Sequence, residues 1–155
     1  MKSTIFRHFA IISGVFAAYG APEAVAQSGS TPCGLLTPAQ VSTAVGATVG
    51  NGEPIATTGC TWSWGRAKTT LSLWDASKWE QMKAPLPGTT KSSVSGLGDD
   101  AFSSTMGTTK QFAVLDVKKG ATVYIFKVYG VDSPSDQLSI EKALAADVLA
   151  RLSTS

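Results

Sequence analysis

The stretch Cys60-Thr61-Trp62-Ser63-Trp64-Gly65-Arg66-Ala67-Lys68-Thr69-Thr70-Leu71-Ser72-Leu73-Trp74 decides the fold class. Cys60, Trp62 and Trp64 share one face of an extended chain and Thr61 and Ser63 take the other, a period of two that belongs to a half-buried strand. Gly65-Arg66-Ala67-Lys68 makes the connection, and Thr69 to Trp74 repeats the pattern with Leu71 and Leu73 inward. The two segments read as an antiparallel hairpin. Trp74 falls on the Thr70/Ser72 face, opposite Leu71 and Leu73.

Working outward, Thr37-Pro38-Ala39-Gln40 is a compact helix start, with a capping threonine, proline at the first helical position and glutamine closing a capping box. That helix is expected to run to Val45 and stop at Gly46, with Leu36, Val41 and Val45 as its narrow apolar stripe. Asn51-Gly52-Glu53-Pro54 marks a turn. After the hairpin, Ser77-Lys78-Trp79-Glu80 reads as a second capping box, opening a short helix to about Lys83 that Pro85 and Pro87 prevent from extending. Residues 85 to 93 read as loop.

Val94-Ser95-Gly96-Leu97-Gly98-Asp99-Asp100-Ala101-Phe102 is a strand end, a glycine-hinged turn and a strand start. Two longer strands follow, Lys110 to Val117 and Ala121 to Tyr129, joined at Lys118-Lys119-Gly120 as a hairpin with a solvated tip. Val123-Tyr124-Ile125-Phe126 is apolar on both faces, the mark of a central strand covered on both sides. Ser133-Pro134-Ser135-Asp136 caps a long C-terminal helix. Its apolar stripe is Leu138, Leu144, Ala145, Val148, Leu149 and Leu152, with Glu141, Lys142, Asp147 and Arg151 mostly on the other side. Strands in hairpins with helices set between them give an α+β domain. The expectation is a single antiparallel sheet of about five to six strands with helices packed mainly on one face.

The chain has 155 residues. Met1-Lys2-Ser3-Thr4-Ile5-Phe6-Arg7-His8, the apolar run to Tyr19 and Ala24-Val25-Ala26 make a secretory signal peptide over residues 1–26, cleaved between Ala26 and Gln27. Residues 27–32 are a flexible lead-in rich in Ser, Gly, Thr and Pro, and 33–155 form one domain. The expected localisation is periplasmic or secreted. No second apolar run is long enough to span a bilayer, and Gly29-Ser30-Thr31-Pro32 before Cys33 is no lipobox, so neither a transmembrane segment nor a lipid anchor is expected in the mature chain.

Two cysteines delivered to an oxidising compartment read as one disulfide, Cys33 to Cys60. The full chain has 13 basic and 11 acidic residues, a net charge of +2, and removal of Lys2, Arg7 and Glu23 leaves it near neutral. Near-neutrality, dispersed lysines and export argue against nucleic acid as a partner. The one histidine, His8, leaves with the signal peptide. Histidine-based triads, dyads and zinc sites are thereby excluded from the mature domain.

No catalytic residue, metal site or cofactor is expected. Asp99 and Asp100 are adjacent on an extended segment, so they diverge and are poorly placed to share a proton or flank a scissile bond. With Gly96 and Gly98 they read as a turn motif, Asp99 bonding nearby backbone N–H groups and Asp100 facing water or a lysine. Trp62, Trp64, Trp74 and Trp79 fall close together. Trp62 and Trp64 belong with the disulfide in the core, whereas Trp74 and Trp79, with the loop at Pro85 and Pro87, are the candidate binding surface.

Four segments resemble the small exported proteins of the DUF3558 and LpqN-like type: Cys33-Gly34-Leu35-Leu36-Thr37-Pro38-Ala39-Gln40-Val41, Gly59-Cys60-Thr61-Trp62, the Val94 to Phe102 stretch, and Glu141-Lys142-Ala143-Leu144-Ala145. The resemblance implies a Mog1/PsbP-like α+β fold, supports the Cys33–Cys60 pairing and carries no catalytic residues. The leading functional expectation is an exported, non-enzymatic domain of the cell envelope that binds an envelope protein or a small amphipathic ligand. The alternatives are an envelope-acting enzyme using Asp99 or Asp100, and an exported inhibitor that inserts the 85 to 93 loop into a hydrolase cleft.

Overall fold

Seven strands form one sheet in the computed structural model, which describes residues 31–107 and 112–154. They are β1 (Glu53–Ile55), β2 (Gly59–Trp64), β3 (Ala67–Asp75), β4 (Thr89–Ser93), β5 (Asp100–Met106), β6 (Phe112–Lys119) and β7 (Thr122–Tyr129). Their order across the sheet is β1-β2-β3-β7-β6-β5-β4, every pair antiparallel. The helices are α1 (Pro38–Val45), α2 (Trp79–Lys83) and α3 (Pro134–Ser153). The fold is α+β with a long C-terminal helix, and the apolar strand β7 occupies the centre of the sheet.

Seven strands exceed the expected five to six, and the unexpected ones are at the edges, β1 and β4. Residues 85 to 93, read as loop, divide into an exposed turn and the five-residue strand Thr89–Ser93, which pairs along β5 from Met106 to Phe102. Polar edge strands bury neither face, so they carry no apolar alternation that would reveal them. Lys110 and Gln111, expected as the start of a strand, and the signal-peptide segment lie outside the described residues. Pro32, placed in the lead-in, already belongs to the fold as a buried residue of a short 3-10 turn, Pro32–Gly34.

One face of the sheet carries α1 and α3. Cys60 and Trp62 of β2, Leu71 of β3, Phe126 and Tyr124 of β7 and Leu115 and Val117 of β6 meet Val41 of α1 and Leu144, Ala145 and Val148 of α3. The Cys33–Cys60 disulfide ties the segment before α1 into this core, with Cα atoms 5.0 Å apart. Gly52 is required here by close approach: a Cβ at this position would lie 2.5 Å from Cys60 Sγ and 2.7 Å from the Trp62 indole. The capping box of α1 forms as read, Thr37 N donating to Gln40 Oε1 at 2.9 Å and Gln40 N to Thr37 Oγ1 at 3.2 Å.

Two buried polar residues of α3 break the apolar pattern. The β6–β7 ladder ends at the Val114–Lys127 pair. Just beyond it Ala113 N donates to Gln137 Oε1 (2.7 Å) and Val128 N to Glu141 Oε1 (3.1 Å). The side chains thus take over backbone donors that the parting strands leave without a ladder partner. Glu141, read onto the solvated side of α3, is fully buried. The correction has a plain cause, since 137, 141, 145 and 148 form one helical stripe and the hydrogen bond makes a carboxyl group tolerable within it.

The opposite face is covered only in part. The chain leaves β3 through a 3-10 turn, Ala76–Lys78, and lays α2 back over β5, β6 and β7. Asp75 starts this turn by accepting from Ser77 N at 2.7 Å, so the expected Ser77 capping box does not form. A carboxylate is the stronger acceptor and stands where the strand ends. No helix among the described residues is long and apolar enough to cross a membrane. The Cys33–Cys60 disulfide fits an extracytoplasmic protein.

Candidate ligand-binding face

Strand register fixes which side chains share the partly covered face. One row runs Glu53, Thr61, Thr70, Lys127, Val114, Ser104, Lys91 across all seven strands. The next runs Ser72, Ile125, Asp116, Phe102 and the third Trp74, Val123, Lys118, Asp100. At the other end Ser63, Lys68 and Tyr129 make a fourth. The rows change character along their length: the apolar groups, Phe102, Val114, Val123 and Ile125, lie on β5, β6 and β7, whereas β2, β3 and the far end of β7 carry mainly hydroxyls and lysines.

The apolar half is closed. Trp79 is only 2% exposed and packs on Phe102, Val114, Val123 and Ile125, with its ring centroid 5.1 Å from that of Phe102. Its indole Nε1 donates to Asp100 Oδ2 at 2.9 Å, and Lys83 Nζ binds the same oxygen at 2.9 Å. Lys91 Nζ donates to the Met82 and Ala84 carbonyls at the end of α2. Trp79 therefore leaves the proposed surface and becomes the anchor of its lid. A tryptophan one 3-10 turn beyond a strand can fold either way, and an apolar strip with a carboxylate at its rim drew this one in.

Pro85 and Pro87 are exposed, but they lead into Thr89 at the outer edge of the sheet, where it pairs with Met106. Trp74 stands at the other end of the rows on β3, four strands away. The strand spacing alone separates them by about 19 Å, so the loop and Trp74 do not make one surface.

Asp99 and Asp100 diverge, as adjacent strand residues must. Asp99 accepts from Lys119 Nζ at 2.9 Å and from Gly120 N at 2.7 Å, pinning the β6–β7 hairpin rather than bonding within its own Gly96–Gly98 turn. Lys119, read as solvated, is its ion-pair partner. The Gly120 amide and then Lys119 hold Asp99 below the usual carboxylate range, and Lys83 and then the Trp79 indole do the same for Asp100. Both are strongly ionised acceptors with their partners in place. Burial beneath the lid pushes Asp116 up to about 6, against the pull of Lys127 and Lys91. Among the described residues no three His, Cys, Asp or Glu side chains come together as a metal site.

The open half is built from β2, β3 and the end of β7. Trp74 is 51% exposed and Tyr129 37%. They stand at opposite ends of the strip, with Ser72, Thr70 and Lys68 between them on β3, Lys127 on β7, and Thr61 and Ser63 on β2. Lys68 Nζ lies over the Tyr129 ring at 5.3 Å. Among the described residues the hydroxyls of Ser63, Thr70 and Ser72 have no hydrogen-bond partner. Of the expected surface residues the strip keeps Trp74 alone, and it adds Tyr129, Lys68 and Lys127. A signal for them was present: Lys127 follows Val123 and Ile125 on one face of β7, and a charge there marks where the apolar cover ends.

Compared with protein-family models, curated proteins and solved structures, the chain has no match in any of the three.

Proposed function

We propose that the chain is an exported binding domain of the cell envelope whose ligand lies along the open half of the sheet. The observation that carries this reading is Trp74. It is the most exposed of the four tryptophans, on a rigid strand and beside hydroxyls that lack protein partners, while Trp62 and Trp79 are buried. An indole held on a strand offers a large contact area at little entropic cost, and the hydroxyl rows supply donors and acceptors for a polar edge. The carboxylate-enzyme reading loses support because Asp99 and Asp100 point apart and each is engaged by a lysine. The inhibitor reading loses support because half of its loop is a paired strand. The Cys33–Cys60 bridge supports the export part of the proposal.

The test is capture from solubilised envelope by immobilised protein, comparing wild type with Trp74→Ala and Trp74→Ala/Tyr129→Ala. Retention of a polysaccharide or protein species that falls in the variants is the expected result. Equal retention by all three would remove the open face from consideration.

A further inference from the structure

We propose that the ligand of the open face is an acidic polysaccharide, a chain of sugars bearing carboxylates. The inference rests on the open face being the binding surface and adds the chemical class of its occupant. Four lysines point from this side of the sheet: Lys91 on β4, which is spent on the α2 carbonyls, and Lys68 on β3, Lys127 on β7 and Lys118 on β6, which are not. Among the described residues the lysines in ion pairs are Lys83, with Asp100, and Lys119, with Asp99, so neither Lys68, Lys127 nor Lys118 has a carboxylate within ion-pair distance. Of the acidic groups on the same rows, Glu53 lies at the β1 edge, three strands from Lys127, Asp116 is buried under α2, and Asp100 is taken by Lys83.

The spacing is that of an extended ligand. From Lys68, which pairs with Tyr129, to Trp74 is six residues of β3, or about 20 Å. An aromatic ring thus closes each end of a strip on which lysines and free hydroxyls are interspersed. The C–H face of a sugar ring stacks on an indole or phenol, its hydroxyls bond Ser63, Thr70 and Ser72, and carboxylates along the chain meet the lysines. Single-stranded nucleic acid also stacks on aromatic strand faces, but it calls for a cationic groove along its backbone. A near-neutral mature domain whose lysines are spaced along the face fits the sparser charge of an acidic glycan better.

The test is affinity electrophoresis of the disulfide-bonded domain in native gels holding polygalacturonate, neutral dextran or oligo(dT), with circular dichroism to confirm that each variant is folded. Retardation by polygalacturonate and not by dextran is expected. It should weaken with salt, disappear in Trp74→Ala and fall roughly fivefold in affinity in Lys68→Gln/Lys127→Gln, as two exposed charge contacts predict. Equal retardation by dextran, lost in Trp74→Ala, would overturn the acidic-ligand inference and leave the binding face standing. Stronger retardation by oligo(dT) would overturn it in favour of nucleic acid. No retardation by any polymer would overturn the inference, and the capture comparison with Trp74→Ala would then decide the binding reading by itself.

Discussion

Glu141 is the residue on which local sequence reading and packing disagree most. A charged side chain on a predicted amphipathic helix is placed outward by habit, yet the spacing from Gln137 through Glu141 to Ala145 and Val148 put it on the buried stripe. What local sequence could not supply was the acceptor's purpose, since the Val128 amide lies on another strand. Burial pushes Glu141 up to about 8, with the Val128 hydrogen bond pulling the other way. The folded protein therefore keeps a proton that the unfolded chain releases near pH 4.5, and stability falls as pH rises from there to about 8. Asp116 adds a loss of the same sign between its ordinary value of 3.8 and about 6. Glu141→Gln keeps an oxygen for Val128 N and cannot ionise. Urea unfolding should find it more stable than wild type at pH 8 by a few kcal/mol, on the order of 2 to 4, with the pH dependence above pH 6 largely gone. An unchanged pH profile would place the dependence elsewhere.

Elements with a strong internal pattern were legible in sequence, and those that depend on distant partners were not. The β2–β3 hairpin, α1, the β6–β7 hairpin and α3 all carry their period, their cap or both, and all four form. β1 and β4 exist because a neighbouring strand offers an edge, which no short polar segment announces. The five-residue helix α2 is the clearest case of an element held by its surroundings. It is too short to be stable alone, and Trp79, Asp100 and Lys91 fix it to the sheet. Lys91 satisfies its terminal carbonyls and lies over the Phe102 ring at 5.4 Å. Lys91→Ala should cost about 1 to 2 kcal/mol and speed hydrogen exchange of the Trp79 indole N–H without unfolding the sheet. Exchange as slow as in wild type would mean that Trp79 and Asp100 suffice to hold the lid.

At the scale of the whole molecule, one sheet is covered completely on one face and by half on the other. The disulfide fastens the first face, joining the start of the fold to β2 across 27 residues. On the chain-entropy model it contributes about 3 to 4 kcal/mol, so Cys33→Ser/Cys60→Ser should lower the urea midpoint accordingly, and a reducing agent should do the same to wild type. An unshifted midpoint would show that the helices hold this face unaided. The lid fastens part of the second face, and what it leaves is the strip between Trp74 and Tyr129. The class of architecture followed from periodicity, whereas the strip followed only from register, because it joins the β2–β3 hairpin to β7, a strand far along the chain.

The most direct test of that strip is amide chemical-shift mapping of the 15N-labelled domain during titration with a galacturonate oligosaccharide. The account predicts saturable shifts confined to residues 61–63, 68–74, 118 and 127–129 together with the Trp74 indole, while Trp79 and β4 stay unmoved. Shifts centred on α2, β4 or the Pro85–Pro87 turn, or none at all, would contradict it.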